Sequence, residues 1–202
     1  MLNKDKIGSI IAPKIITVSD MNHSKNQQGK KNMAGSIRLI AGKHRGRKLP
    51  VLMAEGLRPT TDRVKETVFN WLMPYIHESI CLDCFAGSGS LGFEAMSRGA
   101  EKVTLLELNK AAAKQLLQNK ILLQANNVHV EQVDSLIFLQ TSQQTLQIFD
   151  LVFIDPPFNK GLAEKAARLL NASWLAKDAL IYVEMESQGN NQKMPSNWRL
   201  LK

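Results

Sequence analysis

From Ile80 onward the chain changes its hydrophobic period repeatedly: short continuous apolar runs give way to stretches whose apolar residues recur every three or four positions. The first kind predicts buried strands at 80–85, 102–107, 128–133, 150–155 and 179–184. The second predicts helices near 90–98, 109–124, 135–141 and 160–171. Asn109 suits the N-cap of the 109–124 helix, with Ala112, Leu116, Ile121 and Leu123 forming its buried face. Such βαβ alternation implies an α/β fold: a parallel sheet with helices on both faces, right-handed crossovers, and ligands at the carboxyl ends of the strands. Upstream, Ile37–Ala41 and Arg47–Val51 predict a short hairpin turning through Gly42 to Gly46. Thr60-Thr61-Asp62 offers N-cap choices for a helix reaching about Tyr75, with Val64, Val68, Trp71 and Leu72 on one face and Pro74 near its end. Residues 1–32 are polar and predict a disordered leader, in which the apolar stretch Ile7 to Val18 allows a weak strand. Met33 offers an alternative start. The organisation expected is therefore a leader over 1–32, a hairpin arm over 33–56 and a main domain over 57–202.

Composition alters this picture in one respect. With 44% hydrophobic and 22% charged residues the chain is ordinary for a globular protein, and 202 residues suit one domain with an appendage. There is no run of 18 apolar residues and no secretory h-region, so a cytoplasmic protein without a membrane span is expected. A monomer is the expected state. The net charge of +8, however, is unevenly spread: residues 1–48 carry 11 Lys and Arg against Asp5 and Asp20, a net +9, and the remainder carries −1. A polyanion would dock on that basic arm, although a solvated tail accounts equally well for Lys4 to Lys31.

Cys81 and Cys84 form a C-x-x-C, but inside a strand they point to opposite faces with Cα atoms roughly 10 Å apart, beyond disulfide reach. His23, His44, His77 and His129 show no ligand spacing, so no metal is expected.

The 80–85 strand runs into Ala86-Gly87-Ser88-Gly89-Ser90-Leu91-Gly92, a G-x-G-x-x-G that opens a helix, which is the context a nucleoside-binding loop requires. Glycines let the backbone turn tightly and approach a ligand. Phe85, Ala86, Gly87, Ser88 and Gly89 would line the cofactor, and Glu107, ending the next strand, would accept hydrogen bonds from two ribose hydroxyls. Nicotinamide dinucleotides and S-adenosylmethionine share this architecture. Asp83 favours the second, because a carboxylate suits its cationic sulfonium and amino end and repels a pyrophosphate; Asp83 can also cap the turn. Asp134 and Ser135 follow the third strand, where they could bond the adenine edge, while Asp134 is equally an ordinary N-cap.

The apolar strand Leu151-Val152-Phe153-Ile154 ends in Asp155-Pro156-Pro157-Phe158. Two prolines stiffen the loop and leave carbonyls without neighbouring N–H groups. The Asp155 carboxylate and the Pro156 carbonyl could then accept both hydrogens of an exocyclic amino group, localising its lone pair toward a methyl donor. Phe158 could stack on the base for about 1–3 kcal/mol once that base is flipped out. By itself the tetrapeptide could be a turn; joined to the glycine loop and Glu107 in this order, it reads as a target-base motif.

These residues together resemble the ribosomal RNA small subunit methyltransferase D family, whose members methylate N2 of one guanine in bacterial 16S rRNA. The resemblance covers about residues 36–202 and rests on Arg38-Leu39-Ile40-Ala41-Gly42 with Arg45-Gly46-Arg47-Lys48-Leu49-Pro50, on Leu57-Arg58-Pro59-Thr60-Thr61-Asp62-Arg63-Val64-Lys65-Glu66-Thr67, on Asp83-Cys84-Phe85-Ala86-Gly87-Ser88-Gly89, and on Asp155-Pro156-Pro157-Phe158. It implies a Rossmann-like, class I methyltransferase domain over 57–202 with a seven-stranded sheet, S-adenosyl-L-methionine as cofactor, and 16S rRNA of the small subunit or its assembly intermediate as partner. It also implies Glu107 as ribose ligand and Asp155 as catalytic. Arg38, Lys43, Arg45, Arg47 and Lys48 of the hairpin, with Arg58 and Arg63, are the expected RNA-binding residues; Arg45 and Arg47 would project from one face of a β-ribbon. Because the sequence stops at Lys202, near where the family enters its sixth strand, the closing C-terminal antiparallel hairpin is expected to be truncated. The competing readings are an amino-methylating DNA adenine methyltransferase, a nicotinamide-dependent oxidoreductase and a non-catalytic RNA-binding module.

Overall fold

The computed structural model describes residues 13–19, 35–52, 62–141, 148–157, 161–185 and 193–201. In chain order these form β1 (Lys14–Ser19), β2 (Gly35–Arg38), β3 (Lys48–Val51), α1 (Asp62–Ile76), β4 (Ile80–Asp83), α2 (Ser90–Ser97), β5 (Lys102–Glu107), α3 (Lys110–Leu122), β6 (Val128–Gln132), α4 (Ser135–Thr141), β7 (Phe149–Ile154), α5 (Leu162–Ser173), β8 (Leu175–Met185) and β9 (Arg199–Leu200).

Seven strands form one sheet in the order β6-β5-β4-β7-β8-β1-β9, and every pairing in it is parallel. The expected α/β, Rossmann-like sheet is therefore present. Helices cover both faces. Val68, Phe69, Leu72 and Ile76 of α1, Leu91 and Phe93 of α2 and Leu116 of α3 pack on one side. Leu139 of α4, Ala163, Ala166, Ala167 and Leu170 of α5, and Trp174 and Trp198 pack on the other. Cys81 and Cys84 lie in these two opposite cores, both as free thiols, as their spacing in a strand requires. Burial pushes the Cys81 thiol up to about 12, so it is inert as a nucleophile at neutral pH.

Two expectations need correction. Lys14–Ser19 is part of the sheet and not of a disordered leader: it pairs with β8 from Lys14↔Leu180 to Ser19↔Met185, and with β9 on its other side. The apolar stretch Ile7 to Val18 allows a strand here; its place in the sheet is tertiary, since Ile15 and Ile16 are buried one in each core. Ile121 of α3 is 75% exposed, whereas Ala112, Leu116 and Leu123 are buried as expected.

The hairpin β2–β3 pairs antiparallel from Gly35↔Val51 to Arg38↔Lys48, and its alternating Ile37, Leu39, Leu49 and Val51 are buried against α1 to α3. Glu94, 0% exposed in α2, anchors the connecting turn by accepting from Ile40 N at 2.8 Å and Ala41 N at 3.1 Å. Two cations face that carboxylate, Arg98 Nε at 2.7 Å and the buried Lys65 Nζ at 3.9 Å. Lys65 also donates to Arg38 O at 2.6 Å, tying α1 to the hairpin. The turn meets the end of α2 so closely that a Cβ on Gly42 would lie 1.8 Å from Ser97 O, and Gly42 has φ +80°. Only glycine fits there.

Candidate active site

Sheet order places the site. From β4 the chain goes outward through β5 and β6, then returns to β7 on the other side of β4. The crevice at this reversal, outside the carboxyl ends of β4 and β7, is where open α/β sheets bind ligands. The glycine loop follows β4 and Asp155-Pro156-Pro157 follows β7, and the two strands are joined by Cys81↔Leu151 to Asp83↔Phe153 and by Cys84 N donating to Phe153 O at 3.0 Å. The two motifs thus share one edge.

Within the loop Gly87 and Gly89 have φ +50° and +78°. A Cβ on Gly89 would meet Phe93 and Leu116 at 2.6 Å, so the backbone lies directly on α2 and α3. Glu107 crosses to this loop: its Oε2 accepts from Gly87 N at 2.8 Å and its Oε1 from Asn109 N at 2.6 Å. Each carboxylate oxygen has a second lone pair for a further hydrogen bond. Beside Glu107, Leu108 is 67% exposed at the same sheet edge, an apolar platform that periodicity does not single out.

Asp83 is 1% exposed, and its Oδ2 accepts from Gly92 N at 3.1 Å, so it does fix the turn into α2. Among the described residues its Oδ1 has no hydrogen-bond partner, and neither does the buried Ser90 Oγ in the first turn of α2. Burial raises the Asp83 carboxyl to about 7, against the opposing hydrogen bonds from the Gly92 and Phe85 backbones. A buried acceptor lacking a donor fits a cationic ligand group and opposes a second anion. Asp134 caps α4 through Leu136 N and Ile137 N, and the buried Ser135 hydroxyl donates to Cys84 O. Both side chains therefore hold the loops in place; a bond to an adenine edge would come on top of these contacts.

At β7, Asp155 and Pro156 are half-buried and Pro157 is exposed; Phe158 lies outside the described residues. Glu184 of β8, half-buried and one position beyond the last β7–β8 register pair Ile154↔Val183, is absent from the expected site. It was hidden because a single acidic residue closing an apolar strand looks like an ordinary solvated end.

The basic residues fall in a different place from the one expected. Lys43, Arg45, Arg47 and Lys48 are exposed, but residues 41–46 form turns and bends, so Arg45 and Arg47 do not alternate on a β-ribbon. Gly42 and Gly46, at φ +80° and +82°, break the strand there. Lys43 N donates to Ser97 O at 2.7 Å and Arg47 Nη2 to Leu122 O at 3.2 Å, docking the turn on the carboxyl ends of α2 and α3. An eight-residue helix is about 12 Å long, so these charges lie that far from the glycine loop along α2. Arg38 pairs with Asp62 at 3.6 Å, and Arg63 is exposed in the first turn of α1. Arg58 lies outside the described residues. Among the described residues no group of three His, Cys, Asp or Glu is placed to hold a metal ion, and no helix is long and apolar enough to cross a membrane.

Known proteins resemble this chain over most of its length. A family model described as conserved hypothetical protein 95 matches residues 37–202. The ribosomal RNA small subunit methyltransferase D of Haemophilus influenzae is 58% identical over 174 residues, covering 85% of this chain and 89% of the relative. The protein of that name from Escherichia coli strain K12 is 50% identical over 168 residues, covering 83% of each. The solved yhhF protein of Escherichia coli superposes with a TM-score of 0.73 at 47% identity, covering 81% of this chain and 88% of that one. With a family match over most of its length and relatives at this identity, the chain belongs to the ribosomal RNA small subunit methyltransferase D family.

Proposed function

We propose that this protein transfers a methyl group from S-adenosyl-L-methionine to the exocyclic N2 of a guanine in small-subunit rRNA. The observation that carries this reading is the meeting of the glycine loop and Asp155-Pro156-Pro157 at one reversal point of the sheet. When bound, S-adenosylmethionine supplies an electrophilic methyl group on a sulfonium sulfur. Glu107 is poised for the ribose hydroxyls, Leu108 offers an apolar face to the adenine, and the buried Asp83 carboxylate, with Oδ1 unpartnered among the described residues, favours the ammonium end over a pyrophosphate. Asp155 and the Pro156 carbonyl take the two hydrogens of the target amino group and aim its lone pair. As the nitrogen gains its methyl and becomes cationic, Asp155 receives the proton it sheds. The loop's prolines keep these acceptors from reorganising during the step, which is where preorganised acceptors gain their effect. The basic turn and Arg63 hold rRNA phosphates, the turn at a distance from the base.

Transfer of labelled methyl to 30S particles and to duplex DNA, followed by digestion and mass identification of the methylated nucleoside, tests the reading. N2-methylguanosine from the particle is expected. Methyladenine in DNA, with unlabelled particles, would replace it with the DNA reading.

A further inference from the structure

The last register pair between β7 and β8 is Ile154↔Val183, so the next step sets Asp155 beside Glu184. Side chains alternate along each strand. Leu151 and Phe153 of β7 and Leu180 and Tyr182 of β8 line the first core, which puts Asp155 and Glu184 together on that same face at the carboxyl edge. The buried Tyr182 lies beneath them, its hydroxyl 3.5 Å from Glu184 Oε2. Burial raises the Tyr182 phenol above its ordinary range first, and the negative charges of Glu184 and then Asp155 raise it further, as expected of a hydroxyl near both carboxylates. Neighbouring like charges on adjacent strands destabilise a sheet. Two carboxylates side by side at the mouth of the site match a ligand edge that presents adjacent donors.

We propose that Glu184 is a specificity-determining residue that accepts the ring N1–H of the target guanine while Asp155 takes the exocyclic amino group. The proposal rests on the guanine reading above. Guanine presents N1–H and the two N2 hydrogens as adjacent donors, so two carboxylates side by side match its edge. Adenine presents an N1 lone pair to the same position, which a carboxylate repels. The Tyr182 hydroxyl holds Glu184 in place from below and so is a positioning residue.

The test uses 30S particles reconstituted with 16S rRNA bearing either guanine or 2,6-diaminopurine at the methylated position. The analogue keeps the 2-amino group but turns N1 into an acceptor. The wild-type protein is expected to favour guanine in kcat/KM by roughly tenfold to hundredfold, the range of a good base-edge contact. In Glu184→Gln, whose amide can donate to N1, the preference should fall toward unity while cofactor affinity is unchanged. A preference that stays at the wild-type value in this variant overturns the proposal. Should Glu184→Gln not fold, the same ratio in Tyr182→Phe, which keeps the buried ring, decides: narrowing supports the proposal and constancy overturns it. The underlying reading fails separately, if digestion of the wild-type product shows methyl at any position other than guanine N2.

Discussion

Removing the Asp155 carboxylate should slow chemistry far more than it weakens cofactor binding, because its hydrogen bonds strengthen as the target nitrogen becomes tetrahedral. Asp155→Ala is therefore expected to lose kcat with nearly constant S-adenosylmethionine affinity; single-turnover kinetics and calorimetry separate the two, and wild-type turnover would remove Asp155 from the mechanism. Glu107→Ala should weaken the cofactor by about 1–3 kcal/mol, since ribose hydroxyls and the Gly87 and Asn109 N–H groups all lose an acceptor. Asp83 adds a pH dependence. Its carboxyl moves from the ordinary 3.8 to about 7 on folding, so the folded protein holds a proton that the unfolded chain releases between these values. Stability without cofactor is then full below the lower value and declines as pH rises through about 7. An ammonium ligand favours the ionised form, so cofactor affinity should rise over the same span, and Asp83→Asn should flatten both profiles in pH-dependent melting and titration.

The regular elements were the easiest part of the fold to read. The expected 102–107 strand is Lys102–Glu107, and the expected 135–141 helix is Ser135–Thr141, because continuous apolar runs and amphipathic stretches report burial directly. The glycine loop and Asp155-Pro156 were legible for a related reason: each sits at the junction where one period ends and the next begins. What the sequence concealed depends on contacts between elements. The turn at 41–46 alternates like a ribbon, yet Glu94 captures its Ile40 and Ala41 N–H groups and bends it onto α2. Glu94 is the one charged residue of α2, and its partners in the hairpin, Lys65 and Arg98 explain its burial. Glu94→Ala would strand a buried lysine and two backbone donors, and breaking a buried pair costs about 3–5 kcal/mol. Urea denaturation should show that loss, with much of the refolded protein failing to protect Ile40 and Ala41 from amide exchange; a loss within a few tenths of a kcal/mol would mean the hairpin is held elsewhere.

For the molecule as a whole, the proposed function together with the distance between the basic turn and the crevice predicts a two-point grip on RNA. Charge reversal at Arg45 and Arg47 should weaken binding to 30S particles and flatten its salt dependence by about 0.7–0.9 per lost phosphate contact, with cofactor affinity unchanged. Unaltered binding at every salt concentration would make the turn a solubilising surface. The insertion of β1 between β8 and β9 carries a different consequence, for the order of assembly. Lys14 leaves the ribosome well before its partner Leu180. The strand is made early but has nothing to pair with until β8 emerges, so the contacts that complete the sheet have very high contact order and form late. Without β1 the sheet would end at an open β8 edge, the kind of edge that invites pairing with another chain. A chain begun at Met33 would keep that edge permanently, and should express with a lower melting temperature and more aggregate than the full sequence.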